Sequence, residues 1–200
     1  MRYPDSPMTG ARRLHYDYAD YLAALEQSAL KLEYCDGVIY AMAGGTRAHA
    51  ELAAATIVAL HAALPRSCRI ATSDLKVRVE ATDLSAFPDA SVVCGPARTS
   101  SIDANALVNP TILVEVTSRS TEDDDRGDKA SHYKQLESLQ AILFVSHKTR
   151  RITIVERTSD GGKARWVERD VRGGEWVTLP VHGASFAVDA IYEGIELDPT

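Results

Sequence analysis

The run Ile112-Leu113-Val114-Glu115-Val116-Thr117 predicts a central β-strand that carries one acidic residue. Pro110 precedes the run and marks the start of the strand. Successive side chains of a strand point to opposite faces, so Leu113, Glu115 and Thr117 share one face. A carboxylate in a buried strand is costly unless a cation or hydrogen bonds compensate it. Glu115 is therefore the first candidate for a functional residue.

A second acidic residue lies in the stretch Phe87-Pro88-Asp89-Ala90-Ser91-Val92-Val93-Cys94, which predicts another strand, ended by Gly95-Pro96. Facing residues on paired strands lie about 5 Å apart, so Asp89 and Glu115 can approach each other if their strands are neighbours. Two carboxylates at that spacing are typical of a site for a hard divalent metal such as Mg²⁺, which prefers oxygen ligands and keeps several waters. The sequence therefore predicts a metal site built on Asp89 and Glu115.

The remaining elements follow from hydrophobic periodicity and turn residues. Apolar residues at helical spacing predict a helix over residues 16–29. Asp36-Gly37 between two apolar runs predicts a β-hairpin over residues 32–42. Gly44-Gly45-Thr46 opens an alanine-rich helix that extends to about residue 64. Further strands are predicted at residues 70–80, 141–146, 151–157, 164–169 and 176–179. A polar loop is predicted at residues 97–109, and a helix that Ser120 or Thr121 caps is predicted to end near residue 136 or 137.

Composition indicates a soluble globular protein. The 200 residues are 45% hydrophobic and 25% charged, enough for one domain with a full core. The expected division is a flexible N-terminal tail, residues 1–13, followed by a single domain, residues 14–200. A formal net charge of −6 disfavours loose attachment to nucleic acid or to an anionic membrane, although it does not exclude a local basic groove.

The three cysteines, Cys35, Cys68 and Cys94, are widely spaced and form no CxxC motif. Their expected state is that of free thiols in a reducing compartment. The N-terminal segment lacks the apolar core of a signal peptide, and no apolar run approaches the roughly 18 residues that a bilayer span requires. A cytoplasmic protein without a membrane partner is expected.

An ordered set of motifs resembles a known family. The set comprises Leu32-Glu33-Tyr34-Cys35-Asp36-Gly37-Val38-Ile39, His49, Phe87-Pro88-Asp89, Val114-Glu115-Val116-Thr117-Ser118, Lys129 and Tyr133. It resembles the PD-(D/E)XK restriction-endonuclease-like superfamily, and more closely its Uma-type branch, over roughly residues 15–195. The resemblance implies an α/β (α+β) domain with a mixed central sheet flanked by helices, including an N-terminal helix and hairpin. It also implies Mg²⁺, or Mn²⁺ in its place, bound by Asp89 and Glu115, and hydrolysis of phosphodiester bonds in DNA.

One position departs from the superfamily pattern. A lysine is expected two residues after the second acid, but Thr117 occupies that position and carries no positive charge. The Uma-type branch is similar in lacking this lysine and has one on the following helix, which corresponds to Lys129. Such a lysine could orient the attacking water or offset developing charge. Lys76, on a neighbouring predicted strand, is a second candidate. His49, Glu33 and Tyr133 form a supporting set.

Each candidate also has a structural interpretation. Asp89 could end a turn, and Glu115 could pair with an arginine in the core. Lys129 could be solvated, and Tyr133 could pack on the sheet. His49 could be an ordinary hydrogen-bonded histidine, and Glu33 could pair with Lys31.

The function predicted from this resemblance is that of a metal-dependent endonuclease, expected by analogy to act as a homodimer. The main alternative is a catalytically silent module that keeps the nuclease fold to bind protein or nucleic acid. The acidic net charge and the missing strand lysine favour that alternative, whereas the retained pair of acids opposes it. A third possibility is a metal-dependent hydrolase of a smaller phosphoester.

Overall fold

The computed structural model describes residues 14–42, 44–117, 124–160 and 163–199, within which two six-stranded mixed sheets are accompanied by four α-helices. The helices are α1 (Tyr18–Gln27), α2 (Arg47–Ala63), α3 (Asp124–Tyr133) and α4 (Val188–Tyr192). With strands numbered along the chain, the first sheet has the order β2 (Val38–Ala41), β1 (Leu32–Cys35), β5 (Leu84–Ala86), β4 (Lys76–Val79), β8 (Asp103–Leu107) and β7 (Thr99–Ser100). The second has the order β12 (Lys163–Arg172), β11 (Arg151–Asp160), β10 (Ala141–Ser146), β9 (Ile112–Thr117), β6 (Ala90–Cys94) and β3 (Cys68–Thr72). A separate ribbon pairs β13 (Trp176–Thr178) with β14 (Ser185–Ala187).

Local sequence explains the first elements of the fold. Asp36 and Gly37 both have positive φ, 44° and 81°, as a two-residue hairpin turn between β1 and β2 requires. Helix α1 begins with a capping box between Asp17 and Asp20. Thr46 is the N-cap of α2, and its hydroxyl accepts a hydrogen bond from the backbone nitrogen of His49. The predicted N-terminal helix, hairpin and alanine-rich helix are therefore confirmed.

The second sheet separates two hydrophobic cores. On one face, Val114 packs in a cluster with Leu52 of α2 and Ile191 of α4. On the other face, Leu113 packs in a cluster with Tyr133 of α3 and with side chains of the first sheet. This arrangement confirms a mixed sheet flanked by helices. Because Glu115 has the same parity as Leu113 along the strand, its side chain points toward α3 and the first sheet.

Strand β9 lies between two partners of opposite direction. It pairs antiparallel with β6 and parallel with β10, and α3 lies in the connection between β9 and β10. A helix in the crossover between parallel strands packs on the face of the sheet. The helix that carries Lys129 is thereby held against the strand that carries Glu115.

The prediction of a single strand at residues 70–80 is wrong, because two strands occupy this segment. Strand β3 ends at Thr72, where a turn closed by a hydrogen bond from Leu75 N to Thr72 O, 3.1 Å, leads to β4 in the other sheet. Lys76 and Arg78 alternate with apolar residues along this segment, yet both are buried. Alternation of polar and apolar residues therefore does not mark an exposed face when the polar side chains find buried partners.

The prediction of a polar loop at residues 97–109 is also wrong, because the segment forms β7 and β8. Asp103 at the start of β8 supplies the partner that Lys76 needs. Lys76 Nζ lies 2.6 Å from Asp103 Oδ2, and both side chains are 5% exposed. Tyr18 donates a further hydrogen bond to Asp103, at 2.7 Å. The short polar strand is stabilised by these buried contacts, which no local pattern reveals.

Replacing Lys76 by Met is expected to lower the free energy of unfolding by about 3 to 5 kcal/mol, because it leaves the Asp103 carboxylate buried without its cation. Urea unfolding followed by circular dichroism measures the change. The double variant Lys76→Met/Asp103→Leu should recover most of the loss. Equal destabilisation in the single and double variants would contradict the prediction.

The cysteine prediction is wrong for two of the three residues. Cys68 and Cys94 face each other across the β3–β6 ladder, with Cα atoms 3.9 Å apart, and form a disulfide. Cys35 is the free, buried thiol. The long sequence separation of the two bridged cysteines hid their adjacency, because only the strand register brings them together.

Two predictions fall on residues outside the described ranges: the N-terminal tail at residues 1–13, and the helix cap at Ser120 or Thr121. Within the described ranges, none of the helices combines the length and the apolar character needed to cross a bilayer.

Candidate functional site

Asp89 and Glu115 come together through the register of β6 and β9. Ala90 pairs with Val114 in this antiparallel ladder. Asp89 directly precedes Ala90 and Glu115 directly follows Val114, so the two acids lie at the same end of the strand pair. Asp89 Oδ2 accepts a hydrogen bond from the backbone nitrogen of Val116, at 2.7 Å. The side chains of Asp89 and Glu115 are only 14% and 13% exposed. Two largely buried carboxylates therefore lie side by side at one end of the strand pair.

Lys129 of α3 supplies a positive charge to this pair. Its Nζ lies 3.6 Å from Glu115 Oε1 and 3.2 Å from Glu33 Oε1. The side chain of Lys129 is 18% exposed, so it is not the solvated lysine of the structural alternative. The ammonium group reaches the carboxylates from the helix, whereas Thr117, two residues after Glu115, donates a hydrogen bond to Val145 O at 3.3 Å.

Glu33 connects the first sheet to α3 and to the segment that precedes Asp89. It is buried on β1 of the first sheet, and its Oε1 accepts hydrogen bonds from Lys129 and from the backbone nitrogen of Phe87, at 3.1 Å. Phe87 precedes Pro88-Asp89, so Glu33 fixes the segment that leads into Asp89. The alternative pairing of Glu33 with Lys31 is not observed, because Lys31 contacts Ser73 and Asp74 instead.

Tyr133 and His49 complete the group from two helices. The fully buried Tyr133 donates a hydrogen bond from its hydroxyl to Glu115 Oε1, at 2.7 Å. Tyr133 lies one helical turn after Lys129, so both side chains share a face of α3. His49 Nε2, near the start of α2, lies 3.3 Å from Asp89 Oδ2. We call the six residues Glu33, His49, Asp89, Glu115, Lys129 and Tyr133 the acidic cluster.

Glu115 carries a strong electrostatic perturbation within the acidic cluster. Burial raises the pKa of its carboxyl to about 7, and the neighbouring charges of Asp89 and Glu33 add to the increase. Lys129 and the hydrogen bond from Tyr133 act in the opposite direction without cancelling it. For His49, the hydrogen bond to Asp89 raises the pKa of the imidazole, against the effect of burial. The cluster holds more negative charge than its own cations balance.

The metal-free protein should gain stability at pH 8 when Glu115 is replaced by Gln. A carboxyl whose folded pKa is raised to about 7 binds more protons in the native state than in the unfolded state, so the native state loses stability as the pH rises toward 7. The glutamine does not ionise and escapes this loss. In scanning calorimetry with EDTA at pH 8, Glu115→Gln should melt at a higher temperature than the parent protein. The increase should be roughly 2 to 4 °C for each kcal/mol gained in the free energy of unfolding, and it should be smaller at pH 4.5.

The matched control for this change is Glu51→Gln, on the exposed side of α2, where Glu51 pairs with Arg47 at 2.7 Å. This surface substitution should leave the melting temperature nearly unchanged. A Glu115→Gln protein that melts lower than the parent at pH 8 would mean that the charged carboxylate is a net stabilising group.

Two of the predicted site residues have their described contacts elsewhere. Lys76 pairs with Asp103 in the first sheet, and Thr117 contacts the backbone of β10. Two backbone groups that the sequence could not single out belong to the site, since the amides of Phe87 and Val116 fix Glu33 and Asp89. Backbone donors carry no residue-type signal, so only the fold reveals them.

Comparison with known proteins shows a family and relatives to which this chain is similar. Residues 18–189 match the Uma2 family model, whose description is "Putative restriction endonuclease". An uncharacterized protein of Synechocystis sp. is 35% identical over 178 residues, which cover 88% of this chain and 90% of that protein. A second uncharacterized protein of the same organism is 25% identical over 160 residues, which cover 78% of this chain and 86% of that protein.

The fold has a counterpart among solved structures. The crystal structure of a "putative nuclease belonging to DUF820" from Anabaena variabilis has a TM-score of 0.70 to this chain, at 14% identity. The match covers 89% of this chain and 98% of that one. This likeness confirms the predicted restriction-endonuclease-like fold.

Proposed function

The chain belongs to the Uma2 family of "putative restriction endonucleases", and on that premise we propose that it is a Mg²⁺-dependent endonuclease that hydrolyses phosphodiester bonds in DNA. The observation that carries the proposal is the convergence of the Asp89 and Glu115 carboxylates, from adjacent strands, with the ammonium group of Lys129. With Glu33, these residues bring four charged groups together from four separate segments of the fold. A purely structural role does not require such a concentration of buried charge.

The donor set of the acidic cluster fits a hard divalent cation. Three carboxylates, those of Glu33, Asp89 and Glu115, face one lysine and one histidine. Burial first, and then the neighbouring charges of Asp89 and Glu33, raise the pKa of Glu115. Asp89 and Glu115 would hold the ion. Mg²⁺ is commonly bound by one or two carboxylates and keeps several waters, so two protein carboxylates are sufficient. When bound, such an ion activates water and neutralises charge on a phosphoryl group.

The other members of the acidic cluster have positioning and electrostatic roles in this proposal. Lys129 keeps a positive charge beside Glu115, where it can stabilise the negative charge that develops on the phosphate or orient the attacking water. Glu33 restrains Lys129 on one side, and Tyr133 restrains Glu115 on the other. His49 lies against Asp89 and is available for a phosphate contact. Because cutting both strands suits a twofold arrangement, a homodimer is part of the proposal, and light scattering tests it.

Purified protein should convert supercoiled plasmid to the open-circular form, or degrade single-stranded DNA, in Mg²⁺ or Mn²⁺ and not in EDTA. Gel electrophoresis of a time course measures this. If the protein binds Mn²⁺ stoichiometrically and cleaves no DNA, but hydrolyses a small phosphodiester, it is a hydrolase of smaller substrates. Absence of both activities would leave the silent module as the function.

Calorimetric titration should show Mn²⁺ binding to the parent protein and its loss in Glu115→Ala, because one of two protein ligands is removed. Glu51→Ala, on the exposed face of α2, is the control and should bind Mn²⁺ as the parent does. A parent protein that binds no Mn²⁺ would reject the metal-dependent mechanism and favour the silent module.

A further inference from the structure

A second group of metal-ligand side chains lies away from the acidic cluster. Cys68 and Cys94 are the last facing pair of the β3–β6 ladder. His182 lies in the turn between β13 and β14, with a φ of 55°. One ligand atom from each of these three residues lies within 4.8 Å of the other two. Among the described residues, three separate segments of the chain thus bring two sulfur atoms and an imidazole together.

Neighbouring contacts hold His182 and Cys94 in place. The buried Val181 anchors the turn that carries His182, and a hydrogen bond from Leu179 N to Ala184 O, 2.8 Å, closes it. Histidine is among the residues that tolerate a left-handed backbone, so His182 suits this position. The backbone nitrogen of Cys94 donates to Thr111 Oγ1, at 3.1 Å. His182 is exposed, which leaves one side of the group open to solvent.

We propose that Cys68, Cys94 and His182 bind one Zn²⁺ when the disulfide is reduced, so that this edge of the sheet holds either a covalent bridge or a metal ion. Two thiolates and an imidazole are soft and borderline ligands that select Zn²⁺ over Mg²⁺. Zn–S and Zn–N distances are about 2.3 and 2.1 Å, so ligand atoms already within 4.8 Å of one another need only side-chain rotation to surround the ion. Water can occupy the fourth position on the exposed side.

The exchange between the two states balances as a two-electron step. A dithiol reductant attacks one sulfur of the Cys68–Cys94 bond, and its second thiol resolves the mixed disulfide. The reductant is oxidised to a disulfide and the protein gains two thiols. Binding of Zn²⁺ then releases the two thiol protons, and the neutral imidazole of His182 completes the set. No other reactant is needed.

This site is independent of the acidic cluster. Asp89 directly precedes β6 and Cys94 is its last residue, so about five residues at roughly 3.3 Å each separate the two sites along the strand. The acidic cluster offers oxygen and nitrogen ligands and no sulfur. Cys35 is a further thiol, so a thiolate signal that persists in Cys35→Ser reports on Cys68 and Cys94.

Cobalt titration tests the proposal. Protein reduced with a phosphine should bind Co²⁺ with a thiolate-to-metal charge-transfer band that saturates at one equivalent per chain, and one equivalent of Zn²⁺ should abolish the band. The disulfide-bonded protein should give no such band. A reduced parent protein without the band would overturn the proposal, as would a band that appears only in metal-linked dimers.

Three variants locate the ligands. His182→Asn keeps a residue that tolerates positive φ while removing the imidazole, and should weaken Co²⁺ binding at least about tenfold, because one of three protein ligands is lost. Cys94→Ser should remove the band. Cys35→Ser, at the cysteine outside the disulfide, should leave the band and the affinity unchanged. An unchanged affinity in His182→Asn would overturn the three-ligand site even if Cys94→Ser fails to fold.

Discussion

Replacing Asp89 by Asn is expected to reduce plasmid cleavage by on the order of 10³-fold, since a bound metal contributes several kcal/mol to transition-state stabilisation and each 1.36 kcal/mol is a factor of ten. Asparagine keeps the size of the side chain and an oxygen that can accept the hydrogen bond from Val116 N. The loss should therefore come from the missing charge and not from unfolding. Initial rates of nicking at saturating Mn²⁺ measure it.

Asp74→Asn is the matched control for this change. The side chain of Asp74 is 85% exposed and pairs with Lys31 at 2.8 Å. Asp74 is not a member of the acidic cluster. The same chemical substitution there should leave cleavage unchanged. If Asp89→Asn cleaves as fast as Asp74→Asn, the observed activity belongs to another site or to a contaminant.

Lys129→Met is expected to lower kcat by roughly 10² to 10³-fold while Mn²⁺ binding persists, because the ammonium group acts on developing charge and is not a metal ligand. Methionine preserves much of the packing of the lysine stem while removing its charge. The expected split between metal affinity and turnover separates Lys129 from Asp89 and Glu115. Calorimetry with Mn²⁺ and single-turnover cleavage, carried out on the same preparation, measure both.

Lys134→Met serves as the control for the lysine substitution. Lys134 follows α3 directly, and its backbone nitrogen closes the helix by bonding to Ala130 O at 3.0 Å. Loss of an ammonium group there should leave both Mn²⁺ binding and cleavage unaffected. Full cleavage by Lys129→Met would leave the mechanism without its positive charge and would return Lys129 to a structural role, as the counter-ion of Glu33.

Much of the fold could be predicted because local signals and tertiary structure agree. The Asp36-Gly37 turn fixes the first hairpin, and the apolar run around Glu115 forms the central strand with the predicted faces. The order of motifs further identified the acidic cluster, since Asp89, Glu115 and Lys129 meet only if the strands and α3 are arranged as the resemblance implies. A lysine that reaches the carboxylates from a helix ten or more residues away has no local signature of its own.

The failures have a common physical cause in long-range partners. Lys76 is buried because Asp103 lies on a parallel neighbouring strand, and the polar sequence of that strand predicts a loop instead. Cys68 and Cys94 are bridged because β3 and β6 align, although 26 residues separate them in sequence. In each case a residue finds its partner on a segment distant in sequence. The local sequence of either segment alone therefore predicts the wrong structure.

The antiparallel register of β6 and β9 limits how the gene for this protein can change in length. Insertion or deletion of one codon inside either strand would turn Asp89 or Glu115 to the opposite face and move apolar neighbours such as Val92 and Val114 with it. Such an indel removes the acidic pair and the hydrophobic core contacts at once. Viable lineages should therefore vary in length at the connections, such as residues 95–98 and 147–150, and keep both strands free of gaps.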